Sequence, residues 1–200
     1  MSAFYFLWCY ICMSNERLTI REACNLFKLS YSQFYTRTLI SRFNYPKIQY
    51  NKNGIPFLDK KECLSCLKNQ TDFFNHHISL IDASRKCFGA PYLLTRYIKN
   101  KHYIFNIVMF QNRPYIKLSE FNHFYNDICG KHKLVSLTAF IRHVGIPYSK
   151  FYIFAETINL YSKIALSITF NRINKRKLFF KYDDIKKICE LYGLKRFVTN

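Results

Sequence analysis

Leu18-Thr-Ile-Arg-Glu-Ala-Cys-Asn-Leu-Phe-Lys-Leu-Ser-Tyr-Ser-Gln-Phe-Tyr35 lies without a gap on Val135-Ser-Leu-Thr-Ala-Phe-Ile-Arg-His-Val-Gly-Ile-Pro-Tyr-Ser-Lys-Phe-Tyr152. Thr19 falls on Ser136, Ile20 on Leu137, Phe27 on Val144 and Leu29 on Ile146. Tyr31-Ser32-x-Phe34-Tyr35 then recurs as Tyr148-Ser149-x-Phe151-Tyr152. A third copy opens at Ile78-Ser-Leu-Ile-Asp-Ala-Ser-Arg-Lys-Cys-Phe-Gly-Ala-Pro-Tyr-Leu-Leu94 and sets Ser79 and Ala83 on Thr19 and Ala23. Downstream, Asn53-Gly-Ile-Pro-Phe-Leu-Asp-Lys-Lys-Glu62 aligns with Asn112-Arg-Pro-Tyr-Ile-Lys-Leu-Ser-Glu120 after one deletion, and Asn174 to Asp184 supplies the third version. Self-similarity on this scale marks one supersecondary unit copied along the chain. The blocks are 14–70, 75–130 and 131–200, and no low-complexity linker separates them.

Each block predicts the same succession. Thr19, Ser79 and Ser136 stand where an N-cap precedes an apolar-periodic stretch, and Glu22 follows Thr19 at capping-box spacing. Ile20, Ala23 and Phe27 fall at steps of three and four, on one face of a short helix. A break follows at Lys28–Ser30, Phe88–Pro91 and Val144–Pro147, and a second helix is expected from about Ser32 to Ile40, Tyr92 to Ile98 and Ser149 to Ile158. A hairpin comes next. Lys47–Tyr50 pairs with Ile55–Leu58 across an Asn-Gly turn, Ile104–Phe110 with Tyr115–Leu118, and Ile164–Phe170 with Leu178–Lys181. Closing helices are expected at Lys60–Leu67, Ser119–Ile128 and Tyr182–Tyr192. The fold class is α+β, mainly α.

The run Leu18-Thr-x-x-Glu-Ala-Cys-x-x-Phe-x-Leu-Ser-x-Ser-x-Phe-Tyr35 resembles the opening of excisionase and MerR-type winged helix-turn-helix modules, and Phe57-Leu-Asp-Lys-Lys-Glu62 is similar to their segment after the wing. The chain departs from that pattern in its many tyrosines and in Pro91 and Pro147. The resemblance implies three tandem modules, each with a second helix placed for the DNA major groove and a hairpin wing over the backbone. Phe34, Leu94 and Phe151 would face inward. Outward residues expected to contact DNA are Tyr31, Ser32, Gln33, Thr36 and Arg37 in the first module, Arg96 in the second, and Tyr148, Ser149 and Lys150 in the third. Gln33 suits adenine and Arg37 guanine. Wing cations expected on phosphate are Lys52, Arg113, Arg172, Lys175, Arg176 and Lys177.

Charge points the same way. The 200 residues carry 31 Lys and Arg against 12 Asp and Glu, a net +19. An excess of this size costs self-repulsion unless a polyanion is the partner. Over residues 14–70, 71–130 and 131–200 the net is +6, +3 and +10, so the outer two are expected to bind DNA and the middle one to bind weakly or act as a spacer. Double-stranded DNA is the expected partner, self-association on DNA is left open, and the expected location is cytoplasmic and nucleoid-associated. A transcriptional regulator, an architectural factor for recombination, replication or excision, and an RNA- or protein-binding module are the three functional classes compatible with these features.

Other chemistry finds little footing. The longest apolar run, Ala3 to Met13, is about half of what a bilayer span needs. It suits either translation starting at Met13 or an extra element packed on a neighbouring module. Cys9–Cys12 and Cys63–Cys66 have zinc-like spacing, but the first pair lies in that apolar run and the second on one face of an expected helix. Cys24, Cys87, Cys129 and Cys189 read as helix core, so no metal or cofactor is expected. No Ser-His-Asp order, Gly-rich phosphate loop or paired carboxylates occur, and no enzymatic role is expected.

Overall fold

The computed structural model describes residues 16–40, 45–100, 103–170 and 175–194. The fold is α+β, and one order of elements occurs three times. The first repeat runs β1 (Arg17–Leu18), α1 (Ile20–Phe27), α2 (Tyr31–Leu39), β2 (Gln49–Tyr50), β3 (Pro56–Asp59) and α3 (Lys60–His76). The second runs β4 (His77–Ser79), α4 (Leu80–Phe88), α5 (Leu93–Lys99), β5 (Ile107–Phe110), β6 (Arg113–Lys117) and α6 (Leu118–Ile128). The third has β7 (Val135–Ser136), α7 (Leu137–Val144), α8 (Tyr148–Thr157), a 3-10 turn (Leu160–Lys163), β8 (Ile164–Phe170), β9 (Lys175–Phe180) and α9 (Tyr182–Leu191). Every repeat makes a three-stranded antiparallel sheet in the same order, with its last strand in the centre: β1-β3-β2, β4-β6-β5 and β7-β9-β8.

The short leading strand of each sheet has no counterpart in the sequence-based expectation. It is only two or three residues long, and its alternation is hidden by the N-cap that follows at once. The caps themselves are where spacing put them. Thr19 Oγ1 accepts from Glu22 N–H at 3.2 Å while Glu22 Oε2 accepts from Thr19 N–H at 2.8 Å. Ser79 and Ser136 cap α4 and α7 with the first half of that device, their hydroxyls accepting from Asp82 N–H and Ala139 N–H. The first helices end in the left-handed region at Lys28, Gly89 and Gly145. Glycine enters that region without the steric cost that Lys28 bears.

One buried side chain per second helix anchors each repeat: Phe34, Leu94 and Phe151 are 0%, 0% and 1% exposed. Burying such a side chain contributes about 1.5–3 kcal/mol. The third position of the closing helix carries a second recurring device. Glu62 Oε1 accepts from Lys47 N–H at 3.2 Å, and Glu120 Oε1 accepts from Asn106 N–H at 3.2 Å, fixing the approach to the first strand of the hairpin.

Two boundaries differ from expectation in ways that matter. α3 continues past Leu67 to His76, because its second half carries Phe73 and Phe74, which pack on Phe110; Phe73 stacks on that ring at 4.0 Å. The chain also divides into two compact units rather than three. One holds the described residues up to Asn75 together with Met109–Arg113, and the other holds His76–Val108 and the described residues from Pro114 onward. Within that second unit, Leu80, Leu94, Phe121 and Phe124 of the second repeat share a single core with Leu166, Ile168 and Phe179 of the third.

Candidate nucleic-acid interface

The register that lays Thr19 on Ser79 and Ser136 makes the second helices comparable position by position. On α2 the outward stripe is Gln33 and Thr36, with the half-buried C-cap Ile40 four residues further on. Gln33 and Thr36 are exposed, as are their neighbours Tyr31 and Ser32. Gln33 also completes a second capping box, accepting from Ser30 N–H at 3.2 Å through Oε1 while its own N–H donates to Ser30 Oγ at 3.3 Å. One amide oxygen is therefore already committed, which restricts the two-point adenine contact expected from sequence.

Arg37 stands elsewhere than its expected role requires. It lies three residues after Phe34, so it flanks the buried face instead of opposing it. Its guanidinium donates to Tyr45 Oη at 2.9 Å and lies 5.7 Å from that ring's centre, and Tyr45 in turn packs on Phe27 and Phe34. Arg37 thus clamps the aromatic wall of the core, and the outward cast of the helix comes from Gln33 and Thr36.

On α8 the same stripe is Lys150, Ile153 and Thr157, all exposed, with Ile153 at 72%. Tyr148 and Ser149 are exposed beside it. Tyrosines recur at matched positions on both helices. Tyr31 stacks on Tyr35 at 6.0 Å with rings 9° from parallel, and Tyr148 meets Tyr152 at 5.9 Å with hydroxyls 3.5 Å apart. A hydrogen bond from Tyr35 raises the Tyr50 phenol above its ordinary pKa, and Tyr148 does the same to Tyr152.

α5 is different. Its stripe is Leu93, Arg96 and Asn100, and all three are engaged by the third repeat's hairpin within the same unit. Leu93 is 9% exposed in the core that contains Leu166 and Ile168. The Arg96 guanidinium sits 4.5 Å from the centre of the Phe170 ring, and Asn100 Nδ2 donates to the Thr169 carbonyl at 3.2 Å. Tyr97, aligned with Arg37, is buried, and burial raises its phenol pKa. Arg96 is exposed, and its guanidinium packs on the Phe170 ring of β8. The consecutive leucines at 93 and 94 were the available sequence signal, since an outward stripe has no use for the first of them.

Among the hairpin cations, Lys52, Arg113, Arg176 and Lys177 are exposed. Lys177 Nζ lies 5.5 Å from the Phe170 ring centre. Arg172 lies outside the described residues, and so does the side chain of Lys175, whose backbone opens β9 opposite Phe170. The apolar run 3–13 with Cys9 and Cys12 also lies outside them. Arg17, absent from the expected set, has its guanidinium 4.6 Å from the Phe57 ring centre on the first sheet.

The thiols occupy core positions. Cys63 and Cys66 are the fourth and seventh residues of α3, where α6 places Phe121 and Phe124 and α9 places Ile185 and Ile188. Cys63 is fully buried, and burial pushes its thiol up to about 12, which opposes the thiolate a metal would need. Among the described residues no three His, Cys, Asp or Glu side chains converge as a metal site, and no helix is long and apolar enough to cross a membrane. Comparison with protein-family models, curated proteins and solved structures returns no match.

Proposed function

We propose that the protein is a sequence-specific binder of double-stranded DNA, built from tandem winged helix-turn-helix modules and acting as a transcriptional regulator. The observation that carries this is the threefold recurrence of strand, two helices, hairpin and helix with one strand order, in which the outer repeats set an exposed polar residue, Gln33 or Lys150, at the stripe position where the middle repeat buries Leu93. Gln33, Thr36, Tyr31 and Ser32 in the first module and Lys150, Tyr148 and Ser149 in the third are the base- and phosphate-contacting set. Lys52, Arg113, Lys175, Arg176 and Lys177 neutralise backbone phosphates. The middle module joins the third into one body and contributes little to binding. The net charges of +6, +3 and +10 agree with that division.

The test is a salt titration of duplex binding. Six or more phosphate contacts give a slope of log affinity against log salt of about −5 or steeper. Changing Lys175 and Arg176 to Ala together should weaken cognate and random duplexes alike and lower the slope by about two. Absence of duplex binding at low salt would overturn the proposal. The exposed Tyr31, Tyr50, Tyr148 and Tyr152 favour a second reading, base stacking on single strands, for which an unpaired competitor would outcompete duplex in the same titration.

A further inference from the structure

The outer face of each sheet, turned away from its own repeat's core, has a different fate in each repeat. Directly paired residues of antiparallel strands share a face. In the first repeat Leu18 pairs with Leu58 toward the core, which sets Arg17, Asp59 and Phe57 on the other side. In the third, Val135 pairs with Phe180 toward the core, and the opposite face carries Leu134 and Phe179. These two are buried, and Phe179 meets the Phe88 ring at 5.1 Å. The second repeat places Tyr115, 8% exposed, at the Phe179 position. In the second repeat the place that Leu134 fills in the third is taken by His77, paired with Lys117, and in the first by Arg17, paired with Asp59.

A cleft of about 520 Å³ opens there, lined by Arg17, Tyr50, Asn51, Lys52, Asn53 and Phe57. That volume falls within the roughly 300–1,000 Å³ of small-ligand sites. Its chemistry is two cations beside an aromatic ring, with the Arg17 guanidinium 4.6 Å from the Phe57 ring centre in a cation–π contact. The turn above it is held in shape by Asn51 Oδ1, which accepts from Asn53 N–H and Ile55 N–H at 2.9 Å each. Asp59, the cross-strand partner of Arg17, has Oδ1 committed to capping α3, accepting from Glu62 N–H at 2.8 Å.

We propose that this cleft binds one nucleotide unit, with Arg17 and Lys52 as ligands of its phosphate and the Arg17–Phe57 stack as the floor for its sugar or base. Arg17 supplies a planar fork that matches a phosphate in two-point geometry, and Lys52 a mobile point charge. The inference rests on the DNA reading when the nucleotide belongs to a duplex backbone, and stands apart from it when the nucleotide is free.

The full chain is compared with an Arg17→Gln/Lys52→Gln variant, using labelled duplex DNA and, separately, thymidine 5′-monophosphate, whose proton lines broaden on binding. Both substitutions are at exposed positions, so melting temperature should hold. The expected result is a loss of duplex affinity of about tenfold at low salt and a slope shallower by about two. An Arg17→Lys variant should keep the slope and lose part of the affinity, because it retains charge without the planar stack. If the double variant matches wild type in affinity and slope, the cleft proposal falls and the DNA reading survives. If wild type binds no duplex, the DNA reading falls. The cleft then stands only if wild type broadens the mononucleotide lines and the double variant does not.

Discussion

α2 and α5 descend from one sequence pattern and ended in opposite employment. On α2 the stripe Gln33 and Thr36 faces outward, whereas on α5 the aligned Leu93 and Arg96, with Asn100 beyond them, are seated on β8. Two substitutions in kind explain the difference. A leucine at the first stripe position makes exposure costly, and the third hairpin is long enough to offer Leu166, Ile168 and Phe170 as a cover. A repeated fold therefore does not imply a repeated surface. Charge is lowest in the repeat whose helix is covered, so electrostatics and packing diverged together.

The contrast is broken most severely from the β8 side. Ile168→Ala removes buried volume from the seal over α5 and should cost about 2–5 kcal/mol in a urea melt, whereas Ile153→Ala on the exposed α8 stripe should stay within about 0.5 kcal/mol. Equal costs would mean that α5 and α8 are not differently employed. Next comes the outward stripe itself. Gln33→Glu preserves the acceptor of the capping box while removing the amide donor and adding a negative charge. Stability should hold, and discrimination of the preferred duplex should fall by about 1–3 kcal/mol. A Gln33→Glu protein that selects the same sites from random duplex as wild type would remove α2 from the reading surface.

A third measurement compares closing helices. Burial pushes the Cys63 thiol above its ordinary range, up to about 12, while the aligned Ile185 has no proton to lose. A raised acid contributes its stability in full below the unfolded-state pKa and loses it as pH climbs toward the folded one. Stability should thus decline between about pH 9 and 12, and Cys63→Ile should flatten that decline. An unchanged alkaline profile would show that Cys63 is more accessible than its burial implies. The smallest expected effect is at Arg96. Arg96→Ala should cost about 0.5–1 kcal/mol through the lost Phe170 contact and leave duplex affinity and salt slope unmoved. A shallower slope would return the middle module to the DNA-binding set.

Much of this was legible beforehand because it is local. Caps at Thr19, Ser79 and Ser136, the apolar faces of the first helices, and the inward Phe34, Leu94 and Phe151 follow from spacing of three and four. What sequence could not give is pairing between distant segments. The leading strands are too short to show alternation, α3 is prolonged by a ring partner at Phe110, and α5 is covered by a strand some seventy residues on. Arg37 flanks the buried face and does not oppose it, because its i+3 relation to Phe34 sets it beside Tyr45, which accepts from its guanidinium. Arg17 escaped notice because a single cation ahead of a cap carries no pattern until the sheet sets Phe57 beneath it.

The seat of β8 on α5 also constrains how such a chain can change length. Repeat proteins usually gain and lose copies by unequal crossover, since each copy touches only its neighbours through interchangeable faces. Here the second and third copies are no longer interchangeable: deleting 75–130 would strip the cover from Leu166, Ile168 and Phe179 and present them to water. Copy number is frozen at that junction.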